Sequence, residues 1–298
     1  GLGDVYKRQE YYNLNASKSN MFDPNNHELA GAVTDGSQDS YTTLLNREGY
    51  FGRVMYDYGG KYFFSASYRR DASSRFHPDN RWGNFWSVGG AWLISKENFM
   101  QSSASWLNML KLKFSVGQQG NDNIGAYAYT DLYDLVPTGS TSMGATFKRM
   151  GNPDITWETT TNYNLGVEFS LWEGRLSGNV DYYVKKTSDL LFWLSIPESS
   201  GTRGYYGNVG DIRNMGIEAV LTGAIIRTNN IDWTVSANLS HNKTKILSLP
   251  ESKTSGMGGF NETNSTGMGG NWYEVGGPLY NAYCICLLYT SPSPRDRG

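Results

Sequence analysis

The chain has 298 residues with a formal net charge of −2, 39% hydrophobic and 14% aromatic residues, 35 glycines and two cysteines. Two cysteines provide neither a disulfide framework nor a thiol metal site, and a near-neutral, mildly acidic balance offers nothing to nucleic acid. No apolar run approaches the ~18 residues of a membrane-spanning helix, which leaves open a β-barrel that spans with short alternating strands.

Both ends carry stretches that look foreign. Asp4-Val5-Tyr6-Lys7-Arg8-Gln9 resembles the translation of a sequencing-library transposon end, and Cys286 to Asp296 resembles its reverse complement running into an adapter. The natural segment is therefore expected to run from about Glu10 to Ile285, truncated at both ends, with residues 1–9 and 286–298 set aside. Without them the segment is more acidic and keeps only Cys284.

In chain order, the first expected strand places Tyr50, Val54, Tyr56 and Tyr58 on one face and Arg53 and Asp57 on the other. Successive side chains of a strand point to opposite faces, so such alternation marks a sheet with one apolar and one wet side. After the tight-turn pair Gly59-Gly60, Tyr62, Phe64, Ala66 and Tyr68 oppose Lys61, Ser65, Ser67 and Arg69. Trp86, Val88, Trp92 and Ile94 form the next apolar face. Leu110, Leu112, Phe114 and Val116 then alternate with Lys111, Lys113 and Ser115. Tyr163 to Leu171 alternates with Asn162, Asn164 and Glu168, and a turn at Glu173-Gly174 leads into Leu176, Val180, Tyr182 and Val184, opposed by Arg175, Asn179, Asp181 and Lys185. The last pair is Ile217, Ala219 and Leu221, then Ile231 to Leu239 alternating with Asp232, Thr234, Ser236 and Asn238. None of the apolar faces carries a charge. A basic side chain at mid-membrane costs roughly 2–4 kcal/mol, a penalty that produces this bias.

Connections at Gly59-Gly60, Glu173-Gly174 and 227–230 are short, whereas those at about 70–83, 118–161 and 186–214 are long and polar. Short turns on one rim and long loops on the other suit an outer-membrane barrel. Residues 95–108 break the rule by being long on the short side. Residues 255–270, rich in Gly, Asn and Thr, are expected to belong to a loop. No helix of ordinary length is expected. A soluble β-sandwich also alternates wet and dry faces and remains the rival architecture.

Three stretches are similar to the SusC/RagA family of TonB-linked outer-membrane proteins. They are Ser67-Tyr68-Arg69-Arg70-Asp71-Ala72-Ser73-Ser74-Arg75-Phe76 with Asn80-Arg81-Trp82-Gly83; Gly151-Asn152-Pro153-Asp154-Ile155-Thr156-Trp157-Glu158 with the strand after it; and Asn208-Val209-Gly210-Asp211-Ile212-Arg213-Asn214. Gly117 to Asn121 also fits. The resemblance implies an all-β, antiparallel transmembrane β-barrel, here incomplete: roughly half of a ~22-strand wall, giving an open curved sheet of about ten or more strands. It implies a TonB-dependent nutrient importer of the bacterial outer membrane, taking up oligosaccharide or peptide with a SusD-like lipoprotein. The TonB complex would act through a plug and contact segment that are not identified in this chain. A soluble or surface carbohydrate-binding or adhesin β-protein is the alternative, and a metal-chelate transporter without a lipoprotein lid shares the barrel.

Enzyme signals are weak, and neither a cofactor nor a metal is expected. His27, His77 and His241 lie far apart with no partner at ligand spacing. Ser240-His241-Asn242-Lys243 fits a Ser-x-x-Lys pattern but ends a strand instead of opening a helix. Asn121-Asp122-Asn123 supplies one carboxylate, too few for a calcium loop. Candidate lumen residues are Arg69, Lys111, Lys113, Asp181 and Asp232. Candidate loop contacts for a sugar ring or partner are the aromatics Tyr205, Tyr206, Trp272 and Tyr273.

Overall fold

The computed structural model describes residues 2–21, 32–137, 143–196, 198–202, 204–228, 230–250, 259–263, 270–279 and 282–283. They form antiparallel strands: β1 (Leu2–Met21), β2 (Ala32–Tyr58), β3 (Tyr62–Ser73), β4 (Trp82–Leu93), β5 (Leu107–Asn121), β6 (Leu132–Pro137), β7 (Met143–Arg149) and β8 (Glu158–Leu171). The series continues with β9 (Leu176–Ser188), β10 (Leu191–Ser195), β11 (Gly204–Asn208), β12 (Asp211–Arg227), β13 (Asp232–Ser248), β14 (Gly259–Thr263), β15 (Gly270–Glu274) and β16 (Ala282–Tyr283). The helical structure among the described residues is confined to short 3-10 turns at Ile94–Lys96, Asn98–Ser103 and Glu198–Ser200.

Nine strands make one sheet in the order β1-β2-β3-β4-β5-β8-β9-β12-β13, close to the ten or more expected. All eight strands read from alternation lie in it. Leu2 to Gln9 extend β1 and pair with Leu45 to Gly52, using backbone hydrogen bonds that any sequence can offer to a sheet edge. The hairpins β6-β7 and β10-β11 and the small sheet β14-β15-β16 are separate. The last corrects one expectation: residues 259–263 and 270–274 pair as strands instead of forming loop throughout.

Register keeps the faces consistent from strand to strand. Tyr62 lies opposite Trp92, Trp92 opposite Leu112, Leu112 opposite Val167, Val167 opposite Val180, Val180 opposite Ala219 and Ala219 opposite Leu239. A slip of one residue anywhere would turn a whole strand inside out. This row also measures inclination. Tyr62 adjoins the tight turn of β3, but Leu239 stands seven residues along β13 from Asp232, which adjoins its own turn. Seven residues at ~3.3 Å against six strand spacings at ~4.8 Å tilt the strands by about 40° when the turns are level, within the range of membrane barrels. A sandwich has no need of such stagger.

Among the described residues no second layer covers the apolar face. Val54 is 64% exposed, Tyr56 60%, Phe64 45%, Phe114 53% and Leu165 52%. The buried core lies elsewhere, among the long loops.

Short connections share one rim. Gly59 and Gly60 both have φ of 61°, the left-handed pair that a two-residue hairpin needs. At β8-β9 the left-handed residues begin one position earlier than expected, at Trp172 (φ 50°) and Glu173 (φ 55°). Residues 94–106 also lie on this rim, where Glu97 accepts hydrogen bonds from Tyr62 Oη (2.7 Å), Trp92 Nε1 (3.1 Å) and Lys61 Nζ (3.2 Å). Those bonds, led by that from Tyr62, hold its carboxyl below the usual carboxylate range.

Candidate functional site

Two regions gather polar chemistry: the charged face of the sheet and the rim formed by the long loops. On the charged face, in-register neighbours across β5, β8 and β9 place Lys111 beside Glu168, Lys113 beside Gly166, and Gly166 beside Asp181. Lys111 Nζ lies 3.7 Å from Glu168 Oε2, Lys113 Nζ 3.8 Å from the same oxygen, and Lys113 Nζ 3.7 Å from Asp181 Oδ1. Asn179 donates to Asp181 at 2.7 Å. Gly166 makes this possible, because a side chain there would collide with the Asp181 carboxylate. All four charged groups are about a third exposed, so each pair contributes well under ~1 kcal/mol. What the cluster provides is a hydrated wall of balanced charge lining a concavity of about 650 Å³, with Met55 and Phe63 on its flank.

The five candidate lumen residues all belong to the charged face, but only Lys111, Lys113 and Asp181 come together. Arg69 lies apart, donating from Nε to Asp71 at 2.7 Å. Asp232 sits at the short rim, opposite Arg227. Ser240 and Lys243, three positions apart on β13, fall on opposite faces, so the Ser-x-x-Lys pattern brings no lysine to the serine. His77 packs edge-on against Tyr129, His241 is opposite Ile217, and His27 lies outside the described residues.

The long-loop rim has a core of its own. Phe76 from β3-β4, Ile124, Ala128, Ile155 and Trp157 from β5-β8, and Phe85 of β4 are buried together. Trp157 is the keystone: its ring stands 5.3 Å from Phe76 and 5.4 Å edge-on to Phe85, and its Nε1 donates to Arg81 O at 2.9 Å. Asn208 ties in the β9-β12 loop, donating to Thr156 O at 2.8 Å while accepting from Thr156 N at 2.8 Å. Residues of all three quoted motifs thus meet at one place.

A second lock was not foreseen. Asp122 accepts from Arg47 Nη2 at 2.7 Å and Nε at 3.0 Å, and from Ser73 Oγ at 2.7 Å, while its backbone oxygen accepts from Arg75 Nη1 at 2.7 Å. Its local sequence marks it only as a lone carboxylate, too few for a calcium loop. Its partners lie as much as 75 residues away, a distance that no local pattern reveals.

Of the four candidate loop aromatics, Tyr206 packs against the loop core, edge-on to Trp193 at 5.0 Å and with the Arg149 guanidinium 5.3 Å over its ring. Tyr205 is partly buried beside it on β11. Trp272 Nε1 donates to Glu274 at 3.0 Å, and Tyr273 borders an apolar hollow with Phe192, Ile246 and Pro250.

Comparison with known proteins agrees with this architecture. The model of the family described as TonB dependent receptor-like, beta-barrel matches residues 2–292. TonB-dependent receptor P39 of Formosa agariphila is 35% identical over 257 residues, covering 84% of this chain and 24% of that protein. TonB-dependent receptor SusC of Bacteroides thetaiotaomicron is 35% identical over 220 residues, covering 71% of this chain and 22% of that protein. Among solved structures, the RagAB peptide transporter superposes with a TM-score of 0.84 at 29% identity, over 93% of this chain and 30% of that one. The chain spans less than a quarter of the length of these curated relatives.

Proposed function

This chain belongs to the TonB dependent receptor-like β-barrel family, and on that premise we propose that it builds part of the wall and outer loops of an outer-membrane nutrient importer. The observation that carries the proposal is the uncharged face, tilted like a membrane barrel and, among the described residues, covered by no second layer, backed by a charged face that water can wet. Arg69, Lys111, Lys113, Asp181 and Asp232 would line the transport path, tuning by charge what passes. Peptide or oligosaccharide is the cargo we propose, with a SusD-like lipoprotein over the long-loop rim and the TonB complex supplying force from the periplasm. The RagAB peptide transporter, a structural relative, supports peptides.

The loop core suits such a lid because it offers a rigid platform. Tyr206 packs against it with Tyr205 next in the chain, and Trp272 and Tyr273, on the separate β14-β15-β16 sheet, complete the proposed aromatic contacts. Nothing here requires covalent chemistry; the role is binding and passage.

Fractionation of cells expressing the complete protein tests the reading. It is expected to sediment with outer membranes and to resist extraction by salt and by carbonate. Recovery in the soluble fraction would overturn it and favour a soluble carbohydrate-binding protein.

A further inference from the structure

Residues 94–106 are long where a barrel's turns are short. The other connections of this rim, at Gly59-Gly60, between Leu171 and Leu176, and between Arg227 and Asp232, hold three or four residues. We propose that this segment is a membrane foot: it lies in the phospholipid headgroup layer around the short-turn rim and seats Phe99 at the acyl boundary. This rests on the barrel reading above and adds to it a specific lipid-contacting element outside the strands.

What holds the segment in place shows which way it folds. Glu97 is bound by Tyr62 and Trp92, whose rings stack with centroids 6.3 Å apart on the uncharged face of the sheet, and by Lys61 at the tight turn itself. Two of its three anchors thus draw the segment over the outside of the rim, next to the apolar band.

Its side chains suit a headgroup layer. Phe99 is 65% exposed and Trp106 45%, an unfavourable arrangement in plain water and a favourable one where a ring can enter the acyl boundary. Trp172, at the tip of the neighbouring turn, is exposed too and donates its backbone N–H to Trp106 O at 2.8 Å, extending the aromatic patch along the rim. Lys96 is exposed three positions from Phe99, with an ammonium free to add phosphate contacts to its bond with Gly60 O at 3.3 Å. The backbone is prepared as well. Its 3-10 turns pair Glu97 N with Ile94 O, Met100 N with Glu97 O, Ala104 N with Gln101 O and Trp106 N with Ser103 O, at 2.9–3.2 Å. Donors satisfied internally lower the cost of leaving water.

The test places the photo-crosslinker of Phe99→p-benzoylphenylalanine in the complete protein, reconstituted in vesicles of phosphatidylethanolamine and phosphatidylglycerol. Phe64→p-benzoylphenylalanine in the apolar band and Asp79→p-benzoylphenylalanine in a long loop are run in parallel. Phe99 is exposed, so the replacement leaves the fold intact. The expected result is a phospholipid adduct on the peptides carrying positions 99 and 64 and none on that carrying 79. An adduct at 64 alone, or a crosslink from 99 to polypeptide, would overturn the foot while leaving the barrel standing. Absence of an adduct at 64 as well would remove the barrel reading and the foot with it.

Discussion

Val167→Arg is expected to destabilise the barrel by about 2–4 kcal/mol, whereas Asn179→Arg, one position along the adjacent strand from Val167's partner Val180, should be nearly neutral. Val167 is central in the apolar stretch from Tyr163 to Leu171, so the tilt derived above puts it near the middle of the bilayer. A guanidinium there must leave water or drag water in with it. Asn179 lies on the charged face, where an arginine would meet Glu168 and Asp181 and remain hydrated. Folding of the complete protein from urea into lipid vesicles reads the difference. Equal loss in both variants would mean that the two faces see the same solvent.

The second large effect concerns the loops. Trp157→Ala removes the ring that joins Phe76 to Phe85 and the donor that holds Arg81 O. Burial lost and a cavity left behind together cost about 3–5 kcal/mol for such a truncation. The loss should be local. The sheet is built from backbone ladders that Trp157 does not join, so the barrel should keep its heat-resistant electrophoretic form. Residues 122–157 should instead become open to limited proteolysis. Trp157→Phe, which keeps a ring but not the indole N–H, should fall between. Unchanged protection of the loops in Trp157→Ala would show that the platform does not depend on this core.

How far the molecule could be read in advance follows from where its energetic constraints act. Strand phase was legible because a charge such as Lys111 or Asp181 is costly on one face and cheap on the other, and that rule repeats every second residue. Turns were legible where glycine is needed for a left-handed backbone, as at Gly59-Gly60. The turn at Glu173-Gly174 was legible too, but not its left-handed start at Trp172, because a bulky residue with positive φ is not a signal that a sequence advertises. The hairpin of β14 and β15 was hidden by residues that favour loops, being held by pairing that composition does not show.

The site was legible as types of residue and much less as contacts. Lys111, Lys113 and Asp181 were singled out individually; that Lys113 bridges Glu168 and Asp181 needed the β5-β8-β9 register. Trp157 and Asn208 were visible within motifs, but not as partners in one loop core. Asp122 was invisible as a hub, since Arg47, Ser73 and Arg75 reach it from strands and loops far away in sequence. Tyr206 was legible as a loop aromatic, but its packing against Trp193 and the loop core was not.

Nitroxide labels placed one at a time along Leu110 to Val116, in the complete protein within a bilayer, examine the solvent on each side of the sheet most directly. Collision with dissolved oxygen should dominate at 110, 112, 114 and 116, and collision with an aqueous nickel chelate at 111, 113 and 115. A flat profile, or one with the opposite phase, would contradict a wall that stands between hydrocarbon and water.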